Sequence, residues 1–217
     1  AYSSPKALLS TVADFWAGGA IFARTTSNVL YAWGNGNYGK MANGATTYAN
    51  PALINITNNG TLNGRQVSKI RGLDYILALC TDGTLQEWGL ADTNVLYPRA
   101  RSIPGGRTVI DIYASSGNGA GSFGLALASD YTLWSWGTNA YGQLGQGGTT
   151  TNWTPTDITN NGSLNGRKVV ELAGGFSHVV VRCEDNTIHG FGSNNNGILR
   201  YPVVETEYVT PIQLNIL

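Results

Sequence analysis

Charge is scarce in this chain: 13 Lys and Arg balance 13 Asp and Glu, and charged residues make up 12% of 217. With no net field, nothing draws the chain to nucleic acid or to an anionic membrane surface. Histidine is almost absent. His178 and His189 stand alone, and without a third ligand at a sensible spacing they make no metal site. Cys80 and Cys183 form neither a CxxC pair nor a disulfide-dense framework. No serine lies in a G-x-S-x-G elbow, and spacing suggests no Cys and His constellation. No apolar run approaches bilayer length, and helical heptads are missing. The N-terminal AYSSPKALLS lacks the charged-then-apolar pattern of a signal peptide. A start at Ala1 leaves a cleaved signal or a larger precursor open. Together these absences argue against an enzyme, a cofactor or metal, a nucleic-acid partner and membrane insertion.

What remains is rich in turns and aromatics. Glycine numbers 29, Trp 6 and Tyr 11, and Asn and Thr crowd the segments between apolar runs, as in many short strands joined by tight turns. The length suffices to bury a substantial core as one all-β domain or two small ones.

A short motif recurs: Trp33-Gly34, Trp88-Gly89, Trp136-Gly137 and Phe191-Gly192, spaced by 55, 48 and 55 residues. Self-similarity near 50 residues is the signature of a propeller or solenoid, in which one supersecondary unit is copied and stacked. Each unit runs as an apolar strand, a turn, a strand ending in the aromatic and glycine, a glycine loop and a proline-led strand. VSKIRGLDYILALCTDGTLQEWG matches VVELAGGFSHVVVRCEDNTIHGFG at an offset of 103, aligning Cys80 with Cys183 and Trp88 with Phe191. ITNNGTLNGR at residues 56–65 returns as ITNNGSLNGR at residues 158–167. The chain therefore divides into four units in two duplicated pairs, at about 1–55, 56–104, 105–158 and 159–217. The N-terminal SSPKALL has the look of a fifth proline-led strand.

Alternation in TLWSWG and ILALC predicts strands, with Asp82-Gly83 and Asp185-Asn186 at hairpin turns. An aromatic at a strand end buries its surface between neighbouring sheets, and the glycine after it admits a close backbone or a positive φ. In LWSWGTNAYGQLGQG, the glycine-rich loop is a joint between units with Leu144 turned inward. A phosphate cradle would need a following helix and a lysine, whereas TTTNWTPT follows instead. His189 lies beside the aromatic and glycine joint of its unit. The aspartates at hairpins read as Asx turns, and the two cysteines as small apolar residues far apart.

LWSWGTNAYGQLGQGGTTTNWTPTDI resembles a repeat of the RCC1 family, the regulator-of-chromosome-condensation type of β-propeller. VVELAGGFSHVVVRCEDNTIHGFG resembles its V-x-x-V-x-x-G-x-x-H strand, with Gly175 and His178 in the glycine and histidine places, which implies that His178 is a packed strand histidine and not a catalytic base. The resemblance covers nearly the whole chain and implies an all-β propeller with one blade of four antiparallel strands per unit. Nuclear members resemble complete seven-bladed propellers, whereas this chain has four units and no basic tail. Nothing in it matches the partner surface of the founding member, so nucleotide exchange on a small GTPase is not carried over. The wording also resembles repeats of bacterial and phage surface or structural proteins.

Recognition falls to the loops. Tyr38 and Tyr141 hold matching places before a loop glycine, and Tyr48 and Trp153 lie in the polar segments that follow. Such aromatics, with Asn and Thr nearby, suit stacking on a sugar ring and hydrogen-bonding its hydroxyls; their competing role is to pad blade edges. Asn55, Asn59, Asn152 and Asn161 are glycosylation sequons in a eukaryotic secretory host. The reading is a non-enzymatic interaction or structural module that binds a protein or glycan receptor through blade loops. It is expected on a virion or cell surface or in a secreted complex. The rivals are a structural protein that joins other copies of itself or a larger assembly, and an intracellular RCC1-like regulator of a small GTPase.

Overall fold

A computed structural model describes residues 11–47, 50–117, 121–200 and 205–215. They form four antiparallel sheets of four strands, each a meander in which consecutive strands pair. The first sheet is β1 (Val12–Ala17), β2 (Ile21–Thr25), β3 (Leu30–Gly34) and β4 (Asn50–Asn55). The second is β5 (Val67–Gly72), β6 (Tyr75–Cys80), β7 (Leu85–Leu90) and β8 (Asn94–Arg101). The third is β9 (Val109–Gly117), β10 (Gly121–Ala128), β11 (Leu133–Gly137) and β12 (Asn152–Asp157). The fourth is β13 (Val169–Gly174), β14 (His178–Cys183), β15 (Ile188–Ser193) and β16 (Glu207–Leu214). The architecture is all-β, and the proline-led segments are the fourth strand of each sheet. SSPKALL lies outside the described residues.

The chain forms two compact units, Ala1–Arg101 and Ser102–Leu217, each holding two sheets. In the first unit the two sheets meet through Phe22 and Trp88, whose rings stand edge to face at 5.7 Å. In the second, Phe123, Leu125 and Leu127 of the third sheet share one fully buried cluster with Val179, Val181 and Phe191 of the fourth. Each strand therefore has two faces of different destination. Residues in register with the motif aromatic, such as Ile76 opposite Trp88 and Val179 opposite Phe191, turn toward the sheet before. The alternate set, such as Phe22 and Leu125, turns toward the sheet after. Period-2 side-chain alternation sends successive residues of a strand to opposite faces, and both faces of β6 are apolar. Every residue of β6 is buried.

The duplicated ITNNG segments are the splints between the sheets of each unit. Ile56, Leu62, Ile158 and Leu164 are wholly buried. The Thr57 hydroxyl accepts from Leu30 N–H at 2.8 Å and that of Thr159 from Leu133 N–H at 3.0 Å. Thr61 N–H donates to the Pro98 carbonyl and Ser163 N–H to that of Pro211, at 2.9 and 2.8 Å. Their side chains then reach equivalent buried partners. The Thr61 hydroxyl bonds to Gln86, and that of Ser163 to His189 Nδ1 at 2.7 Å. A segment whose NNG reads simply as a turn is thus a hydrogen-bonded strut, made twice.

Candidate functional site

The aromatic and glycine pairs are joints. Trp88, Trp136 and Phe191 are fully buried, and the Trp88 indole N–H donates to the Lys40 carbonyl at 2.8 Å. Trp33, the fourth member, is only half-buried. The glycines that follow take φ of +108° at Gly34, +87° at Gly89, +115° at Gly137 and +97° at Gly192. At three of them a methyl group would also meet backbone. A Cβ on Gly89 would lie 2.1 Å from the Asp74 carbonyl oxygen, on Gly137 2.4 Å from that of Ser122, and on Gly192 2.3 Å from that of Ser177. Positive φ and close approach both demand glycine there. At Gly34 only the first demand holds, since the nearest atom is 4.0 Å away.

The loop after Gly137 is pinned from within. Asn139, 1% exposed, donates to the carbonyls of Gly148 and Thr150 at 2.8 and 3.2 Å and accepts from Leu144 N–H at 3.0 Å. Leu144 is buried, and its carbonyl accepts the Ser135 hydroxyl at 2.7 Å. Asn194 repeats the device in the fourth sheet, donating to Arg200 and Glu205 carbonyls and accepting from Leu199 and Arg200 N–H. These two asparagines are the loop's organisers. Among so many surface Asn residues, the only sequence signal for them is the shared third place after the aromatic.

The loop aromatics stand outside this network. Tyr38 is 42% exposed and holds φ +61°, ψ +12°, a left-handed conformation that is a genuine outlier for a bulky residue. Asn196 occupies the same place in the fourth sheet at φ +61°, where asparagine is readily tolerated. Tyr141, 36% exposed, has its N–H bonded to the Gln143 side chain at 2.8 Å. Trp153 is half-buried on β12. Tyr48 lies outside the described residues. Tyr38 falls in the first compact unit, and Tyr141 and Trp153 in the second.

The titratable groups serve packing. His178 is held beside Gly175, whose N–H donates to the His178 carbonyl at 3.0 Å. A methyl at Gly175 would come within 2.4 Å of the ring, so the glycine makes room for the histidine. Burial lowers the His178 pKa. Burial, and then the charge of Arg167, lowers that of His189, which is completely enclosed. Asp82, Asp130 and Asp185 each receive a hydroxyl and an N–H from the Thr two residues on. The hydroxyl bond is the chief cause of their lowered pKa values. Arg65, Arg107 and Arg167 pair with those three aspartates at 3.4, 2.8 and 3.2 Å, one exposed ion pair per hairpin and each worth little. Both cysteines are buried free thiols raised by burial. Among the described residues no group of three His, Cys, Asp or Glu is placed to hold a metal ion.

Antiparallel four-stranded meanders, each with an aromatic and a glycine at the end of its third strand and the aromatic buried in three of the four, define a repeat protein built of blades. Its particular kind follows from comparison. The chain carries RCC1 repeats: the model of the regulator of chromosome condensation (RCC1) repeat matches residues 132–182, and a second model of that description matches 169–198. The human E3 ubiquitin-protein ligase HERC2 is 30% identical over 199 residues, covering 87% of this chain and 4% of HERC2. The Arabidopsis thaliana ultraviolet-B receptor UVR8 is 27% identical over 184 residues, 82% of this chain and 40% of UVR8. The solved structure of Prp20p from Saccharomyces cerevisiae superposes with a TM-score of 0.78 at 17% identity, covering 97% of this chain and 52% of Prp20p. The chain thus spans a small part of HERC2, under half of UVR8 and about half of Prp20p.

Proposed function

We propose that the chain is a non-enzymatic recognition module that holds a protein partner at the loops following its third strands, and that it works on a cell surface, on a virion or in a secreted complex. One observation carries the reading. Tyr38 is kept exposed in a left-handed conformation at φ +61°, which costs about 1–3 kcal/mol for a residue of its kind. The matching place in the fourth sheet holds the less costly Asn196. A strained, outward phenol gives nothing to the core, and an aromatic on an otherwise polar loop is what a partner surface buries. Tyr141 presents the matching ring in the second unit. Asn139 pins the loop that carries Tyr141, and the Gly36 N–H donates to the Thr47 carbonyl at 3.0 Å across the one that carries Tyr38, so little order has to be created on binding.

Interaction is also the role that relatives support. Prp20p was studied for its binding to Gsp1p and histones. That likeness favours a second reading, an intracellular regulator of a small GTPase, but it rests on the fold alone. A glycan in place of a protein, and a joining role in a larger assembly, are the other rivals.

The test displays the chain against a glycan array and a panel of surface proteins, with Tyr38→Ala and Tyr141→Ala as paired variants. Protein binding that falls at least about tenfold in the double variant, with its melting temperature retained, supports the reading. Binding indifferent to both tyrosines, signal on glycans alone, or stimulated nucleotide exchange on a small GTPase overturns it.

A further inference from the structure

Within each compact unit the first strands of its two sheets, β1 with β5 and β9 with β13, run beside one another, and the two seams differ. In the second unit Tyr113 on β9 closes the seam. Its hydroxyl donates to the Gly175 carbonyl at 2.9 Å, and its ring comes within 3.0 Å of where a Cβ on Gly174 would be. Register puts Trp16 of the first unit in the place of Tyr113, since Trp16 lies opposite Phe22 and Tyr113 opposite Leu125. By the same register Gly72 and Leu73 take the places of Gly174 and Gly175. The Leu73 carbonyl, however, is covered by backbone. A methyl at Gly19 would lie 1.9 Å from it, and one at Gly18 would lie 2.2 Å from the Gly72 carbonyl. The acceptor that Tyr113 uses is therefore taken up in the first unit. Among the described residues the Trp16 indole N–H has no acceptor, and its ring is half-buried.

What this leaves is a recess of about 240 Å³ inside the first unit, with Trp16, Phe22, Ile70, Arg71 and the glycines Gly18 and Gly72 among its walls. Phe22 and Ile70 are 1% and 4% exposed, so the apolar wall is fixed by the core. Among the residues that line the recess, the side-chain polar groups are the Trp16 indole and the Arg71 guanidinium, and both only donate. Arg71 is the single charge at its strand position, where the other sheets place Trp16, Tyr113 and Ala173. It is exposed, its Nη1 donates to the Ile70 carbonyl at 3.0 Å, and among the described residues it enters no ion pair.

We propose that this recess binds a small aromatic carboxylate. The ring packs on Trp16 and Phe22, and the carboxylate accepts from the guanidinium N–H groups that Ile70 does not use and from the indole N–H. The donors choose the class. A cation finds no acceptor side chain there, and a plain hydrocarbon strips water from both donors without replacing it. Size sets the limit: a cavity of about 150 Å³ takes a benzene ring, so the recess holds one ring with its acid group. Sites for drug-sized ligands begin at about 300 Å³.

The test titrates the 217-residue chain with phenylacetate by calorimetry and ligand-observed NMR. Phenylacetamide, acetate and a short peptide ending in a free phenylalanine carboxylate are run beside it. The expected result is a phenylacetate Kd on the order of 1 mM or tighter, with the amide and acetate at least about tenfold weaker. Arg71→Gln changes an exposed side chain, so it leaves the fold intact, and it should weaken phenylacetate at least about tenfold. Trp16→Phe keeps a ring but removes the indole donor, and a loss of about threefold or more is expected. Arg182→Gln, which removes an arginine of the second unit, should change nothing. No binding of phenylacetate up to about 10 mM overturns the proposal. So does equal binding of the amide, or binding that survives Arg71→Gln or falls as far with Arg182→Gln. Binding of the peptide without phenylacetate puts a protein C-terminus in the recess and overturns it as well. None of these outcomes depends on Tyr38 or Tyr141, so failure here is distinct from failure of the loop reading.

Discussion

Placing alanine at Gly89 and at Gly34 separates the two demands that the joint makes on its glycine. Both residues hold φ near or above +87°, so each substitution carries a conformational cost of about 1–3 kcal/mol. At Gly34 that is nearly all, with the nearest atom 4.0 Å from the new methyl. At Gly89 the methyl would sit 2.1 Å from the Asp74 carbonyl, and the turn between β5 and β6 must retreat. That turn is tethered: the same carbonyl accepts from Leu90 N–H at 2.7 Å, and the Asp74 carboxylate meets the buried Lys40 ammonium at 2.5 Å. Losing the first bond costs about 0.5–1.5 kcal/mol, and disturbing a buried ion pair adds up to about 3 kcal/mol. The expected total is about 2–7 kcal/mol for Gly89→Ala against about 1–3 for Gly34→Ala. Urea unfolding followed by tryptophan fluorescence measures both. Equal losses would refute the steric half of the argument and leave positive φ as the only reason for the glycine.

Two further substitutions address the interior. His189 and His178 have pKa values lowered by burial, so the unfolded chain binds more protons just below its histidine pKa of about 6.5. Stability is therefore complete above that pH and declines as pH falls through it. His189→Gln, which copies the Gln86 arrangement opposite Thr61, should flatten part of the decline in melting temperature between about pH 7.5 and about pH 5. A decline as steep as in the unsubstituted chain would place the proton elsewhere. Trp88→Phe strands the Lys40 carbonyl that now accepts the indole at 2.8 Å and removes ring surface at a fully buried site. The loss expected in the same denaturation assay is about 2–4 kcal/mol, and under about 1 kcal/mol would mean that water replaces the bond.

Much of the frame was legible because each unit repeats its own evidence. The 103-residue offset, the alternation and the proline-led segments mark the strands and joints that recur in each unit, since period-2 patterning and turn residues are local signals, while the count of four strands per unit came from the resemblance to RCC1 repeats. The burial of Leu144, the packing of His178 against Gly175 and the Asp-x-Thr turns follow from the same local chemistry. What lay beyond reach depends on neighbours distant in sequence. The half-exposure of Trp33 comes from which sheet covers which face, and one aromatic in four looks no different from the rest in the sequence. Asn139 and Asn194 are hidden by the many other asparagines. The left-handed backbone of Tyr38 is set by a loop whose closure no two-residue motif encodes.

The fixed joints also explain why the family is easier to recognise than the task. One residue before each joint aromatic stand Ala32, Glu87, Ser135 and Gly190, three small residues and one acid. Glu87, 1% exposed, is held by Tyr75 at 2.5 Å, Arg99 at 2.7 Å and Arg101 at 2.9 Å. At Gly190 the same space is taken by Leu199 and Leu214, within 2.8 and 3.2 Å of where a Cβ would be. A buried ion cluster and an apolar fill differ greatly in solvation, yet the pairing on either side of them is the same. Register is held by the glycine joints and the ITNNG struts, so the positions between are released to vary. The same release reaches the loop tips, where one place holds Tyr38 and Asn196 at φ +61° and Tyr141 outside the left-handed region. Specificity is written in the residues the fold does not need.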